Sequence, residues 1–296
     1  MNVHEIITQR IVKRIEEGTA PWQQQWMCAD MPANLVTKRE YSGVNCFLAF
    51  NPYASRWYLT LKQANALGAT IKKGEHGHIV VFWQMKERTD LKTKEKKKSF
   101  LLKYYTVFNT EQCEGIPADK IPPVASPRVI DAAAEVIAAV KDWAPSAPKV
   151  TRMNTNRACY NPRTDEVTLP NAAQFTSAEA SYSVAFHELA HASGHKDRLN
   201  RKGIVEFDKH GTDQYAFEEL VAELCSAFVC GRTGIANDAV IENSASYLKM
   251  WASKLKENTR WIVLAGSQAS KAADYILTGK INGHDEPKDA TEVASA

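Results

Sequence analysis

The chain has 296 residues, 44% hydrophobic and 24% charged, a globular composition with room for two ordinary domains and a substantial core. No apolar run approaches the roughly 18 residues of a membrane-spanning helix, and the opening MNVHEIITQRIVKRIEEG lacks the apolar core and cleavage site of a secretory signal, so no membrane partner and a cytoplasmic location are expected. The net charge of +3 hides an asymmetry: residues 1–125 carry 18 Lys and Arg against 12 Asp and Glu, leaving the remainder acidic, so only the first half suits a polyanionic partner.

In chain order, Val3, Ile7, Ile11 and Ile15 recur every four residues and end at Gly18, which predicts an amphipathic helix. Residues 20–58 are dense in Trp and Tyr with turn residues between them. LTLKQANALGA predicts a short helix ending near Gly68. IKKGEHGHIVVFWQM and SFLLKYYTVFN then predict two strands, with the charge run KERTDLKTKEKKK as a basic hairpin tip. Proline and alanine from 121 to 126 mark a linker. The expected organisation is a domain over 1–120, a linker over 121–127, a second domain over 128–283 and a disordered polar tail over 284–296.

In the second domain, VIDAAAEVIAAVKDW predicts a helix and YNPRTDEVTLP a hairpin or edge strand. Thr176 and Glu179 form a T-x-x-E capping pattern for a helix running through HELAH to Gly194. Further helices are expected over about 213–229 and in SYLKMWASKLKEN and TRWIVLAGSQASKAADYIL. The fold class is therefore α+β: a small α+β domain, then a mostly helical domain with a small antiparallel sheet. Six cysteines without C-x-x-C spacing read as reduced thiols without assigned chemistry.

His187 and His191 lie one helical turn apart, so both imidazoles leave the same face and can hold one ion. Glu188 projects beside them, where a carboxylate can serve as general base toward an attacking water. A third ligand is needed. The helix YAFEELVAELCSAFV carries Glu219 and Glu223 four residues apart, a pattern that resembles gluzincin-type peptidases. That resemblance implies Glu219 as ligand and Glu223 behind it, orienting a ligand histidine. A rival pattern, H-E-x-x-H-x-x-G-x-x-D, would instead bring Asp197 to the ion. A His, His, Glu set suits Zn2+ and leaves Mn2+ or another divalent ion open. His195 matches neither template, and His210 and His284 fall in a loop and in the tail.

Single-strand binding needs cations for phosphates and flat side chains for unstacked bases. The first domain interleaves aromatic residues, Trp26 and Trp83 among them, with lysines and arginines. Its candidate contacts are Trp22, Arg39, Tyr41, Asn45, Trp57, Lys62, Lys72, Lys73, Lys96, Lys97 and Lys98.

The chain resembles the ArdC antirestriction family along nearly its whole length. The marks are PW at Pro21 and Trp22, YSGVN at Tyr41–Asn45, WYLTLKQANALGA from Trp57, KKGEHG from Lys72, and then YNPRTDEVTLP, FHELAHASGHKDRLNR and YAFEELVAEL. The resemblance implies an N-terminal single-stranded-DNA-binding domain and a C-terminal zincin-like metallopeptidase domain similar to SprT-type proteases. It further implies protection of incoming conjugative plasmid DNA from host restriction, with DNA-bound proteins or restriction enzymes as substrate or target. Carried over to this chain, His187, His191 and Glu219 are metal ligands and Glu188 the catalytic acid/base. The alternative is a non-proteolytic protein that binds DNA or blocks the restriction enzyme, with a structural or vestigial metal site.

Overall fold

The four-residue apolar spacing at the start gives helix α1 (Val3–Glu16), which buries Ile7, Ile11 and Ile15. Gly18 follows it in the left-handed region at φ 98°. The computed structural model describes residues 2–23, 31–49, 53–89, 96–123, 131–206, 213–235 and 245–281. These form two compact units, one drawn from Met31–Val124 and the other from His4–Asp30 with Ala125–Asn282.

Helix α1 packs with the second unit. Thr8 Oγ1 donates to the Thr259 carbonyl at 2.8 Å, and Glu16 pairs with Lys256 at 2.6 Å. Trp22, in a 3-10 turn over Pro21–Gln23, is 1% exposed and meets Trp251 edge-on at 6.2 Å between ring centroids. Truncating this anchor removes a large buried ring. Trp22→Ala is expected to destabilise the second unit by about 3–5 kcal/mol, read as a lower melting temperature with the first unit's transition unchanged.

The first unit follows as β1 (Ala33–Asn34), α2 (Asn45–Leu48), β2 (Trp57–Thr60), α3 (Leu61–Ala66), β3 (Thr70–Ile71), β4 (His78–Thr89), β5 (Lys96–Asn109) and β6 (Cys113–Glu114). One sheet has the order β1-β2-β5-β4, with β1 parallel to β2 and the other pairs antiparallel; β3 pairs with β6. A Thr60–Gln63 capping box starts α3. The expected hairpin is present, and its strands run further than the apolar segments. Thr89 lies opposite Lys96, so Lys96, Lys97 and Lys98 are strand positions, while the tip at 90–95 lies outside the described residues. Tyr41, Tyr58, Val80 and Val107 form one buried cluster, and Leu35, Leu59, Ala64 and Ala69 another.

In the second unit come α4 (Asp131–Ala138), β7 (Lys149–Met153), β8 (Cys159–Asn161), β9 (Glu166–Pro170), α5 (Ala178–Ser193), α6 (Lys202–Val205), α7 (Asp213–Thr233), α8 (Ala245–Glu257) and α9 (Trp261–Thr278). The YNPRTDEVTLP hairpin forms between β8 and β9, with Asp165 at φ 50° in its turn. The sheet is mixed rather than purely antiparallel, because β7 reaches β9 through a crossover and pairs with it in parallel. Helices α5, α7 and α9 pack on one another beside it. The expected tail at 284–296, linker positions 124–127 and Trp26 lie outside the described residues. Of the cysteines described, Cys46, Cys113, Cys225 and Cys230 are buried free thiols and Cys159 is an exposed one.

Candidate metal centre

Helix α5 opens on Ser177, whose hydroxyl accepts a bond from the Ala180 amide at 3.1 Å. The cap therefore falls one residue later than Thr176. Phe186, Leu189 and Ala190 face the core, and this fixes the helix rotation that turns His187 and His191 toward α7. On α7, buried Leu220, Val221 and Leu224 set the opposing face and bring Glu219 alongside.

The Nε2 atoms of His187 and His191 lie 3.2 Å apart, and Glu219 places Oε2 3.5 Å from the first and Oε1 3.5 Å from the second. Ligands at about 2.0–2.2 Å on a tetrahedral ion stand roughly 3.3–3.5 Å from one another, so the three side chains fit a divalent cation without rearrangement. Among the described residues they are the group whose donor atoms all converge within 4.8 Å. The donor set is that of a zincin, with two imidazoles and one carboxylate.

Electrostatics agree with a cation site. Burial alone would lower the His187 pKa, but the Glu219 hydrogen bond and the carboxylates of Glu188, Glu223 and Glu219 raise it to about 9. Burial would raise that of Glu219, yet bonds from His187 and Tyr215 and the charge of both histidines bring it to about 2. Tyr215, one turn before Glu219, is pushed upward by its burial and by that same carboxylate. A cation entering the metal-free site must displace the His187 proton at any pH below about 9. Affinity for a divalent ion is therefore expected to rise about tenfold per pH unit up to that value and level off above it, which chelator competition at a series of pH values will read.

The carboxylate that contacts His191 from behind is Glu218, whose Oε1 lies 3.4 Å from Nδ1. Glu223, expected behind the ligands, lies buried within electrostatic reach of His187, and Glu218 is a second acid at the site. Glu218 is 3% exposed and pairs with Arg201, while Glu223 is buried one turn further on, its pKa raised by desolvation against the pull of His187. Adjacent acids on a helix point about 100° apart, and the burial of Leu220 and Leu224 decides which face each takes. Asp197 is half exposed and stands 3.5 Å from the Nδ1 of His195, in the loop after α5 and apart from the converging group.

The expected DNA contacts divide into two sets. Trp22 is part of the second unit's core, Tyr41 is buried against Tyr58, and Asn45 spends its amide on both backbone groups of Val81 at 2.7 Å. Those three support the fold and present no free face to a base. Arg39, Lys62, Lys72 and Lys73 are solvent-exposed. Trp57 is half-buried with Lys38 at 4.9 Å and Arg56 at 5.1 Å over its ring.

Fold and site together define a two-part protein, a small α+β unit joined to a zincin-like metallopeptidase unit. Residues 139–268 match the zincin-like metallopeptidase family, and residues 1–108 match the N-terminal domain of the anti-restriction factor ArdC. The crystal structure of the antirestriction ArdC protein from plasmid R388, in its metal-free form, is 33% identical, with a TM-score of 0.76 over 94% of this chain and 98% of that one. Its Mn(II)-bound form gives 30% identity and 0.74 over 96% and 100%. The uncharacterized protein y4eC of Sinorhizobium fredii is 32% identical over 93% of this chain and 91% of its own. A DNA primase TraC of Escherichia coli is also 32% identical over 93% of this chain, which spans only 20% of that relative's length. The chain belongs to the ArdC antirestriction family.

Proposed function

We propose that this chain is a metallopeptidase recruited to single-stranded DNA, acting in the cytoplasm to protect incoming conjugative plasmid DNA from host restriction. The observation that carries the reading is the triangle of His187, His191 and Glu219 closing to 3.2–3.5 Å beside Glu188. A cation held there, Zn2+ or Mn2+, supplies Lewis-acid polarisation of a scissile carbonyl. Glu188 takes the proton of the attacking water and hands it to the leaving amine. A site that only braced the fold would have no use for a carboxylate in that place. The Mn(II)-bound relative supports a divalent ion, and the relatives' names, antirestriction protein and DNA primase, agree with a DNA partner.

In the first unit, Arg39, Lys62, Lys72 and Lys73 supply cations for phosphates and Trp57 a flat face among cations. Lys96, Lys97 and Lys98 add charge along β5. Concentrating the peptidase on a strand gives it selectivity for proteins found there, DNA-bound proteins or the restriction enzyme itself. No helix among the described residues is long and apolar enough to cross a membrane. Fluorescence anisotropy of the full chain with a labelled single strand tests the DNA half. Affinity is expected to fall steeply with salt, and Lys72→Ala with Lys73→Ala to flatten the log–log slope by about 0.7 per lost phosphate contact. Salt-insensitive binding, or none, refutes it.

A further inference from the structure

The chain leaving α5 turns back at once, and the return places Arg201 in the space between α5 and α7. Its guanidinium spends every nitrogen. Nε lies 3.2 and 3.1 Å from the two Glu218 oxygens, and Nη2 donates to Glu218 Oε1 at 2.5 Å and to the Ala190 carbonyl at 2.6 Å. Nη1 donates to Ser193 Oγ at 2.8 Å, and that hydroxyl in turn donates to the Ala190 carbonyl. Arg201 and Glu218 are both buried, so neither charge is tolerable without the other.

The path is tight enough to demand glycine twice. A Cβ at Gly194 would lie 2.9 Å from the Arg201 Cζ and 2.7 Å from Ile204, and one at Gly203 would lie 2.7 Å from the Glu218 Cβ. Gly194 has an ordinary φ of −79°, so what it provides is room and not an unusual backbone conformation. Both glycines therefore make room for the same pair.

The pair ends on His191. Glu218 Oε1 accepts from Arg201 and lies 3.4 Å from the His191 Nδ1. An ionised carboxylate only accepts, so Nδ1 in that contact must carry the hydrogen. The neutral ring is then left with its lone pair on Nε2, the nitrogen that faces His187 and Glu219.

We infer that Arg201 and Glu218 are positioning residues for His191: the buried pair holds the ring as its Nδ1–H tautomer and aims Nε2 into the cation site, with Gly194 and Gly203 making room for it. This rests on the reading of His191 as a ligand. The arrangement differs from the usual expectation of an orienting acid one turn beyond the ligand acid, because the orienting carboxylate here immediately precedes it in sequence.

The test reads two quantities in the full chain. Nitrogen NMR of histidine-labelled protein, at a pH where the ring is neutral, should show His191 as the Nδ1–H tautomer with and without metal. In Glu218→Gln the tautomers should mix, and affinity for Zn2+ and Mn2+ measured by chelator competition should fall about 10- to 100-fold. Gly203→Ala, which leaves both charges in place and pushes Glu218 aside, should lower affinity in the same direction. An Nε2–H tautomer in the wild type overturns the proposal even if Glu218→Gln does not fold. So does a folded Glu218→Gln with unchanged tautomer and affinity within twofold of the wild type. If Glu219→Ala keeps its metal while the wild-type tautomer is as stated, Glu219 has failed as the third ligand and the positioning of His191 stands.

Discussion

Alanine at His191 or at Glu219 is expected to abolish stable metal binding. Binding free energies for structural four-ligand zinc sites are on the order of 10–16 kcal/mol, so one ligand carries roughly 2.5–4 kcal/mol, or about two to three decades in affinity. Among the described residues, His187, His191 and Glu219 supply the converging donor atoms, so a deletion leaves two of the three. Elemental analysis after dialysis should fall from about one ion per chain to background in both variants. Metal content left intact in Glu219→Ala would move the third ligand elsewhere and return Asp197 to consideration, although that carboxylate is engaged by His195 in the loop.

Glu188→Gln is expected to separate binding from chemistry. The side chain keeps its size, and Glu188 is not one of the three converging residues, so metal content and single-strand affinity should match the wild type. Loss of a general base lowers the rate of peptide hydrolysis about 10²- to 10⁴-fold, equivalent to about 3–5 kcal/mol of barrier. Initial rates on a labelled protein substrate will read this directly. A variant that loses metal along with activity would place Glu188 among the supports of the site, not in the reaction.

The elements that positioned the site were largely readable. A spacing of four puts His187 and His191 on one helical face whatever surrounds them, and the apolar frame of α7 marked it as a buried helix with acids that needed partners. What local pattern could not supply was rotation and partnership. Glu218 and Glu219 are adjacent in sequence, and only the packing of α5 against α7 turns one toward Arg201 and the other toward the histidines. A signal for the first was present. An arginine set among RLNR just past the metal helix, in a fold that buries it, requires an acid. The stripe of Ile7, Ile11 and Ile15 announced a helix without saying which unit it would join, since amphipathicity names a buried face and not its neighbour. Tyr41 and Asn45 stood in a polar, aromatic stretch that read as a binding surface. Their burial follows from contacts with Tyr58 and Val81, which are distant in sequence and come together only when β2 and β4 join the sheet. The parallel pairing of β7 with β9 was missed for the same reason, because a crossover leaves no turn signature.

The central claim, that a zincin site tethered to single strands cuts proteins found there, is tested most directly by one cleavage assay. Wild type and Glu188→Gln are compared on a DNA-bound protein, each with and without single-stranded DNA and with metal supplied. Cleavage by the wild type should accelerate when the strand is present, and cleavage by Glu188→Gln should be slower by about 10²- to 10⁴-fold under either condition. Equal results from the two proteins, with the variant still binding metal and strand, would contradict it and leave a protein that protects DNA by binding alone.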